Sequence, residues 1–243
     1  LAIKKQVFGE DHQDYIFTLY ELAEVYSVLG DYSLAETYLK DVVAFDHKHQ
    51  TRNYVHSLQD LAYVYLVQEN YSLAERYYLA AHKACTQKED LPSTMSNVGD
   101  FYHAQGDYKS AEKYYLEGLQ AAQTLGHDQT STCILSSMGL ICIAQKDYKK
   151  AESYYLQALK VAPDSHLKID IYIGLGNSYS LMHNYTAAEK YFLLALEGER
   201  NYFGATHPHY INGLIAAAKF YEVKGDFNQA ITYLEQAREG AKN

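Results

Sequence analysis

With 243 residues, 48% hydrophobic and 21% charged, the chain has the balance of an ordinary soluble folded protein. A net charge of −9 without any run of Lys or Arg disfavours nucleic-acid binding, which rests on neutralising phosphates. No stretch approaches the roughly 20 apolar residues that span a bilayer, and the N-terminus lacks the basic-then-apolar pattern of a signal peptide.

In chain order, the first segment is Leu1 to Gly9, which lines up with Leu196 to Gly204. In the later copy those residues form the second half of a helix that closes a repeating unit. Residues 1–9 are therefore expected to be the tail of a preceding unit. At the far end the chain stops after a sixth unit without a polar helix to cover it, so an excerpt from a longer protein is expected.

Between these ends one phrase recurs six times. It reads Gly30-Asp31-Tyr32-x-x-Ala35-Glu36, Asn70-Tyr71-x-x-Ala74-Glu75 and Gly106-Asp107-Tyr108-x-x-Ala111-Glu112. The later copies are Asp147-Tyr148-x-x-Ala151-Glu152, Asn184-Tyr185-x-x-Ala188-Glu189 and Gly225-Asp226-Phe227-x-x-Ala230. The aromatic residue returns after 39, 37, 40, 37 and 42 positions, a period too short for a unit to bury its own apolar face alone. The spacing predicts a single array over 1–243, with units near 16–49, 55–88, 92–125, 132–165, 169–202 and 211–243.

The third unit shows the physics. Pro92 suits a helix's first turn, and Met95, Val98, Gly99 and Tyr102 follow on one helical face. Gly106 relaxes the backbone at the end of that helix, and Asp107 is placed to accept from the free N–H groups of the next. Tyr108, Ala111, Tyr115 and Leu119 give the second helix its apolar face.

Small residues hold two fixed places: Ala23, Ala62, Gly99, Gly139, Gly176 and Ala218, then Ala35, Ala74, Ala111, Ala151, Ala188 and Ala230. Such a position is one where two helices nearly touch. Three residues after the first set stand Tyr26, Tyr65, Tyr102, Tyr179 and Tyr221, with Cys142 as the exception. Tyr pairs such as Tyr77-Tyr78 and Tyr114-Tyr115 are expected to place one ring inside the unit and its neighbour towards the next helix.

Leu175-Gly176-x-x-Tyr179, the Gly-Asp-Tyr turn and Ala151-x-x-Tyr154-Tyr155-x-x-Ala158-Leu159, with Pro163 after it, resemble the tetratricopeptide repeat. The Ala-Glu-x-Tyr-Tyr phrase and the linkers Phe8-Gly9-x-x-His12 and Phe203-Gly204-x-x-His207-Pro208 are similar to the longer variety in kinesin light chains and related bacterial regulators. Only the outer linkers keep that form. The resemblance implies an all-α, right-handed superhelical solenoid of antiparallel helix pairs, with a concave groove lined by the first helix of each unit.

Carrying the family's groove positions onto this chain gives Tyr20, Glu21 and Glu24, then Gln59, Asp60 and Tyr63, then Ser96, Asn97, Asp100 and His103. Ser136, Ser137 and Leu140 follow, then Gly174, Asn177 and Ser180, and finally Ala216 and Lys219. The wall is acidic near the start and carries one cation, Lys219, so it repels acidic tails and suits a basic or polar protein or peptide ligand. Asn97 and Asn177 each offer an amide donor and acceptor to a peptide backbone.

The sequence has no nucleophile elbow, HExxH, phosphate loop or paired-Cys motif, so no enzyme activity, cofactor, catalytic residue or metal site is expected. His47 and His49, and His207 and His209, are read as solvated residues of inter-unit linkers. Cys85, Cys133 and Cys142 are read as reduced structural thiols, which suits a cytoplasmic location. The expected function is a non-catalytic interaction scaffold that binds a partner peptide or domain in its groove. The alternative is a regulatory or sensor module with a catalytic or signalling domain attached outside this segment.

Overall fold

The structure is a computed structural model that describes residues 1–163 and 166–242. The expected ends of the fourth unit at 165 and of the sixth at 243 lie outside the described residues. Among these there are thirteen helices and no strand. They are α1 (Ala2–Phe8), α2 (Gln13–Leu29), α3 (Tyr32–His49), α4 (Tyr54–Val67), α5 (Tyr71–Ala84), α6 (Leu91–Ala104) and α7 (Tyr108–Leu125). They continue with α8 (Asp128–Ala144), α9 (Tyr148–Val161), α10 (Leu167–Leu181), α11 (Tyr185–Phe203), α12 (Pro208–Lys224) and α13 (Phe227–Gly240).

Two compact units divide the chain, Leu1–Ala121 and Ala122–Asn243. The first contains the pairs α2/α3 and α4/α5 and the pair of α6 with most of α7. The second contains α8/α9, α10/α11 and α12/α13. Inside each unit a helix packs on its own partner and on the next pair, which is the consecutive stacking that the repeat period predicts.

All six turns use one construction. The side chains of Asp31, Asn70, Asp107, Asp147, Asn184 and Asp226 each accept the backbone N–H three residues ahead, capping the second helix. The backbone N–H of the same residue reaches back to the carbonyl of Tyr26, Tyr65, Tyr102, Cys142, Tyr179 or Tyr221, closing the first helix as in a Schellman motif. One residue thus ends one helix and begins the next. The residue before it is left-handed in every copy: Gly30, Gly106 and Gly225, but also Glu69, Lys146 and His183 at φ 60°, 62° and 59°. Where the sequence lacks glycine, the turn imposes the conformation on a residue that pays for it in steric strain.

The small positions are close contacts, as their recurrence requires. A methyl added at Gly99 would meet the Tyr115 ring at 2.6 Å, and one at Gly139 the Tyr155 ring at 2.7 Å. Gly174, in the next pair, lies against the other side of Tyr155, at 2.4 Å from a methyl built there. The alanines Ala35, Ala74, Ala111, Ala151 and Ala188 are fully buried. In the Tyr-Tyr pairs, Tyr78, Tyr115 and Tyr155 are the buried members. Their neighbours Tyr77 and Tyr114 stack on Tyr65 and Tyr102 of the same helix pair at 5.4 and 5.6 Å.

The histidine readings need correction. His47 and His49 lie in the last turn of α3, not in a linker, and His49 pairs with Asp11 at 2.7 Å. His12 and His207 are helix caps: each ring accepts the N–H of the residue two ahead and stacks on Phe8 or Phe203. The two outer linkers therefore share a geometry as well as a sequence. A cap needs a side-chain acceptor at that place, and the imidazole supplies it.

Candidate interaction groove

In the first compact unit, α3 packs on both α2 and α4. The Tyr20 hydroxyl on α2 donates to Asp60 Oδ2 on α4 at 2.9 Å, bridging the trough between them. On one side of this bridge is a cavity of about 230 Å³ bordered by Glu24, Ser27, Val28 and Tyr63. On the other is a cavity of about 310 Å³, where Ile16, Phe17, Val42 and Phe45 form apolar walls around Asp46.

The carboxyls along this wall feel their surroundings. Desolvation, with Glu24 adding to it, pushes the Asp60 carboxyl above its ordinary value, against the Tyr20 bond and nearby His56. Tyr20 itself is pushed up by burial and by Asp60. On α6, Asp100 accepts from Tyr115 at 2.5 Å. Its side chain is exposed, yet desolvation by the packed helices raises its carboxyl, outweighing Tyr115 and His103. Between them the buried Tyr78 hydroxyl is raised by desolvation first, then by Asp100, Tyr63 and Asp60.

The structure thus brings Tyr20, Glu24, Asp60 and Tyr63 together. Glu21 is exposed on α2 but borders neither cavity. Gln59 is only 8% exposed, and its side-chain nitrogen is buried without a partner. Ser96, Asn97 and His103 are half-buried on α6, where His103 lies against Tyr108 at 5.9 Å. In the second compact unit Asn177 on α10 and Lys219 on α12 are exposed.

Sequence reading missed three features. Asp46 is 4% exposed and held by the hydroxyls of Thr51 and Ser57. Its sequence signal is weak, since it falls near a helix end where acids usually face water. The second is a set of bonds between successive pairs. Tyr65, Tyr102, Tyr179 and Tyr221 donate to Glu36, Glu75, Glu152 and Glu189 of the preceding pair. Both partners recur at fixed places of the repeat, and that recurrence is their signal in the sequence. The third is Glu199 on α11, 7% exposed, with one oxygen unpartnered against Gly213 of α12. Desolvation and then Asp170 push its carboxyl up to about 7.

No group of three or more potential metal ligands gathers among the described residues. None of the helices described is long and apolar enough to cross a membrane. The family signature for the tetratricopeptide repeat matches residues 90–164 and 167–243, more than half of the chain. The chain belongs to the tetratricopeptide repeat family. Solved structures of similar fold include BtubC (BKLC) from P. vanneervenii, at 19% identity and a TM-score of 0.72, covering 87% of this chain and 88% of that one. PilF of Pseudomonas aeruginosa matches at 18% identity and 0.67 over 97% and 95% of the two chains. The apo quorum sensor NprR from B. thuringiensis matches at 21% and 0.70, over 98% of this repeat array and 69% of the sensor. These likenesses establish the repeat fold. A comparison with curated proteins gives no match.

Proposed function

We propose that this repeat array is a non-catalytic scaffold whose first-helix wall takes a partner's peptide carrying basic or polar residues. The observation that supports it is the Tyr20–Asp60 bridge with Glu24 beside it and Asp100 further along, all within the first compact unit. Desolvated carboxyls are favoured in their charged form by an arriving cation, and an acidic tail is repelled. Asn97 extends the same wall with an amide that serves a peptide backbone. Affinity should weaken on acidification. Because the Asp60 and Asp100 carboxyls lie above their ordinary value, that loss begins at higher pH than for free aspartate.

The test is titration of a fluorescent Arg-rich peptide against the native chain and an Asp60→Asn/Asp100→Asn variant. Weaker binding to the variant supports the reading, and equal affinity overturns it. A second reading, a regulatory or sensor module acting on an attached domain, draws on the fold shared with NprR, which is described as a quorum sensor. Curvature change on peptide binding, measured by small-angle scattering, distinguishes this module from a passive scaffold.

A further inference from the structure

The larger cavity beside the Tyr20–Asp60 bridge has a composition that a generic peptide groove does not need. Ile16 and Val42 are buried in its wall and Phe45 half-buried, while Phe17 is 58% exposed at its rim. Asp46 opens onto it from α3. Its donors are the Thr51 hydroxyl at 2.5 Å and the Ser57 hydroxyl, and among the described residues it has no ion-pair partner. Buried carboxylates are ordinarily matched by a cation. Here two neutral hydroxyls and the N-terminal turn of α4, where Ser57 lies, supply partial compensation only. Each carboxylate oxygen still has a lone pair to offer. At about 310 Å³ the space is at the small end of ligand pockets, the size for one long side chain.

We propose that this cavity is a pocket for a single arginine side chain of a bound peptide. Its methylene stem lies along Ile16 and Val42, its guanidinium plane against the Phe17 and Phe45 rings, and its N–H groups face Asp46. Guanidinium fits better than ammonium because it is planar, weakly hydrated and stacks on aromatic faces. This inference rests on the groove-binding reading and adds to it a defined subsite, of whose lining the projected groove positions included only Tyr20.

The test uses butylguanidinium as the probe and butylurea as its uncharged counterpart, followed by amide chemical shifts of the full chain. Butylguanidinium should shift the amides of Thr51, Asn53 and Ser57 in a saturable way, and butylurea should not. Asp46→Asn should weaken the response at least tenfold. Because Asp46 also holds Thr51 and Ser57, a second variant, Phe17→Lys, alters only the exposed rim and places a competing cation at the entrance. It should abolish the response while the thermal midpoint stays unchanged. Equal shifts from both probes, no shift from either, or full retention in Phe17→Lys overturns the pocket. If the Arg-rich peptide still discriminates Asp60→Asn/Asp100→Asn while this cavity stays silent, the pocket falls and the groove reading stands. If neither responds, both fall.

Discussion

The Tyr221 hydroxyl donates at 2.7 Å to Glu189, a residue of the preceding helix pair, and Lys224 joins the same carboxylate. The Lys224 and Tyr221 bonds hold Glu189 below the ordinary carboxylate range. Tyr102 and Glu75 repeat the arrangement at 2.7 Å. Each bond fastens one pair to its neighbour and touches nothing further along, so successive pairs within each compact unit are held by local links of one kind.

Removing one link tests its weight. Tyr102→Phe keeps the stack on Tyr114 and deletes only the donor to Glu75. Hydrogen bonds to charged groups contribute about 1.5–3 kcal/mol, and partial exposure places this one near the lower figure. Urea unfolding of Tyr102→Phe, Glu75→Gln and the double variant should give a coupling of about 1.5 kcal/mol. Additive effects would show that the bond contributes nothing.

The left-handed turn positions separate into two classes. Lys146 holds φ 62° where Gly106 holds 74° in the equivalent place. Lys146→Gly should raise stability by about 0.5–1 kcal/mol by relieving steric strain, and Gly106→Ala should lower it by about 1 kcal/mol. Thermal melts of the two variants should move in opposite directions.

Crowding at the small positions predicts steep costs. Gly174→Ala places a methyl at 2.4 Å from the Tyr155 ring, which is itself wedged between two helix pairs. Accommodating the methyl forces the ring off its rotamer at a cost of roughly 1–3 kcal/mol. Ala111→Leu should cost a similar roughly 1–3 kcal/mol, since Ala111 has no exposed surface. An unchanged unfolding midpoint for either variant would falsify the tight-contact account.

Glu199 predicts a pH dependence of opposite sign to that of a salt-bridged acid. Its folded value of about 7 lies above the ordinary carboxyl value of 4.5, so the native state holds its proton more tightly than the unfolded chain. The stability this provides is complete at acid pH and is lost as pH rises from about 4.5 through 7, by up to roughly 3 kcal/mol. Asp170 opposes ionisation of Glu199, while His166 and His209 act on Asp170 itself. Unfolding free energies between pH 5 and 8 should slope downward for the native chain and flatten in Glu199→Gln.

Local chemistry made much of this fold legible before any coordinates. The caps at Asp31, Asn70 and Asp107, the glycine-ring contacts and the helix pairing follow from residue type and spacing over a few positions. What stayed hidden depends on which surfaces meet. Gln59 has the spacing of a groove residue, yet neighbouring helices cover it. Asp46 reads as a solvent-facing acid at a helix end and is buried because α4 folds its hydroxyls onto it. His207 reads as linker and acts as a cap because the chain turns there. Periodicity reveals which faces are apolar, but not which polar side chain the next pair will enclose.

The shared turn residue also has a kinetic consequence. Asp107 fastens to Tyr102 behind it and Ser110 ahead of it, so the whole corner is settled within nine residues of chain, Tyr102 to Ser110. Corners this local need little loop closure and can form early and independently. A nascent chain leaving the ribosome could set each hairpin as soon as its second helix appears, and wait for no distant segment to be made.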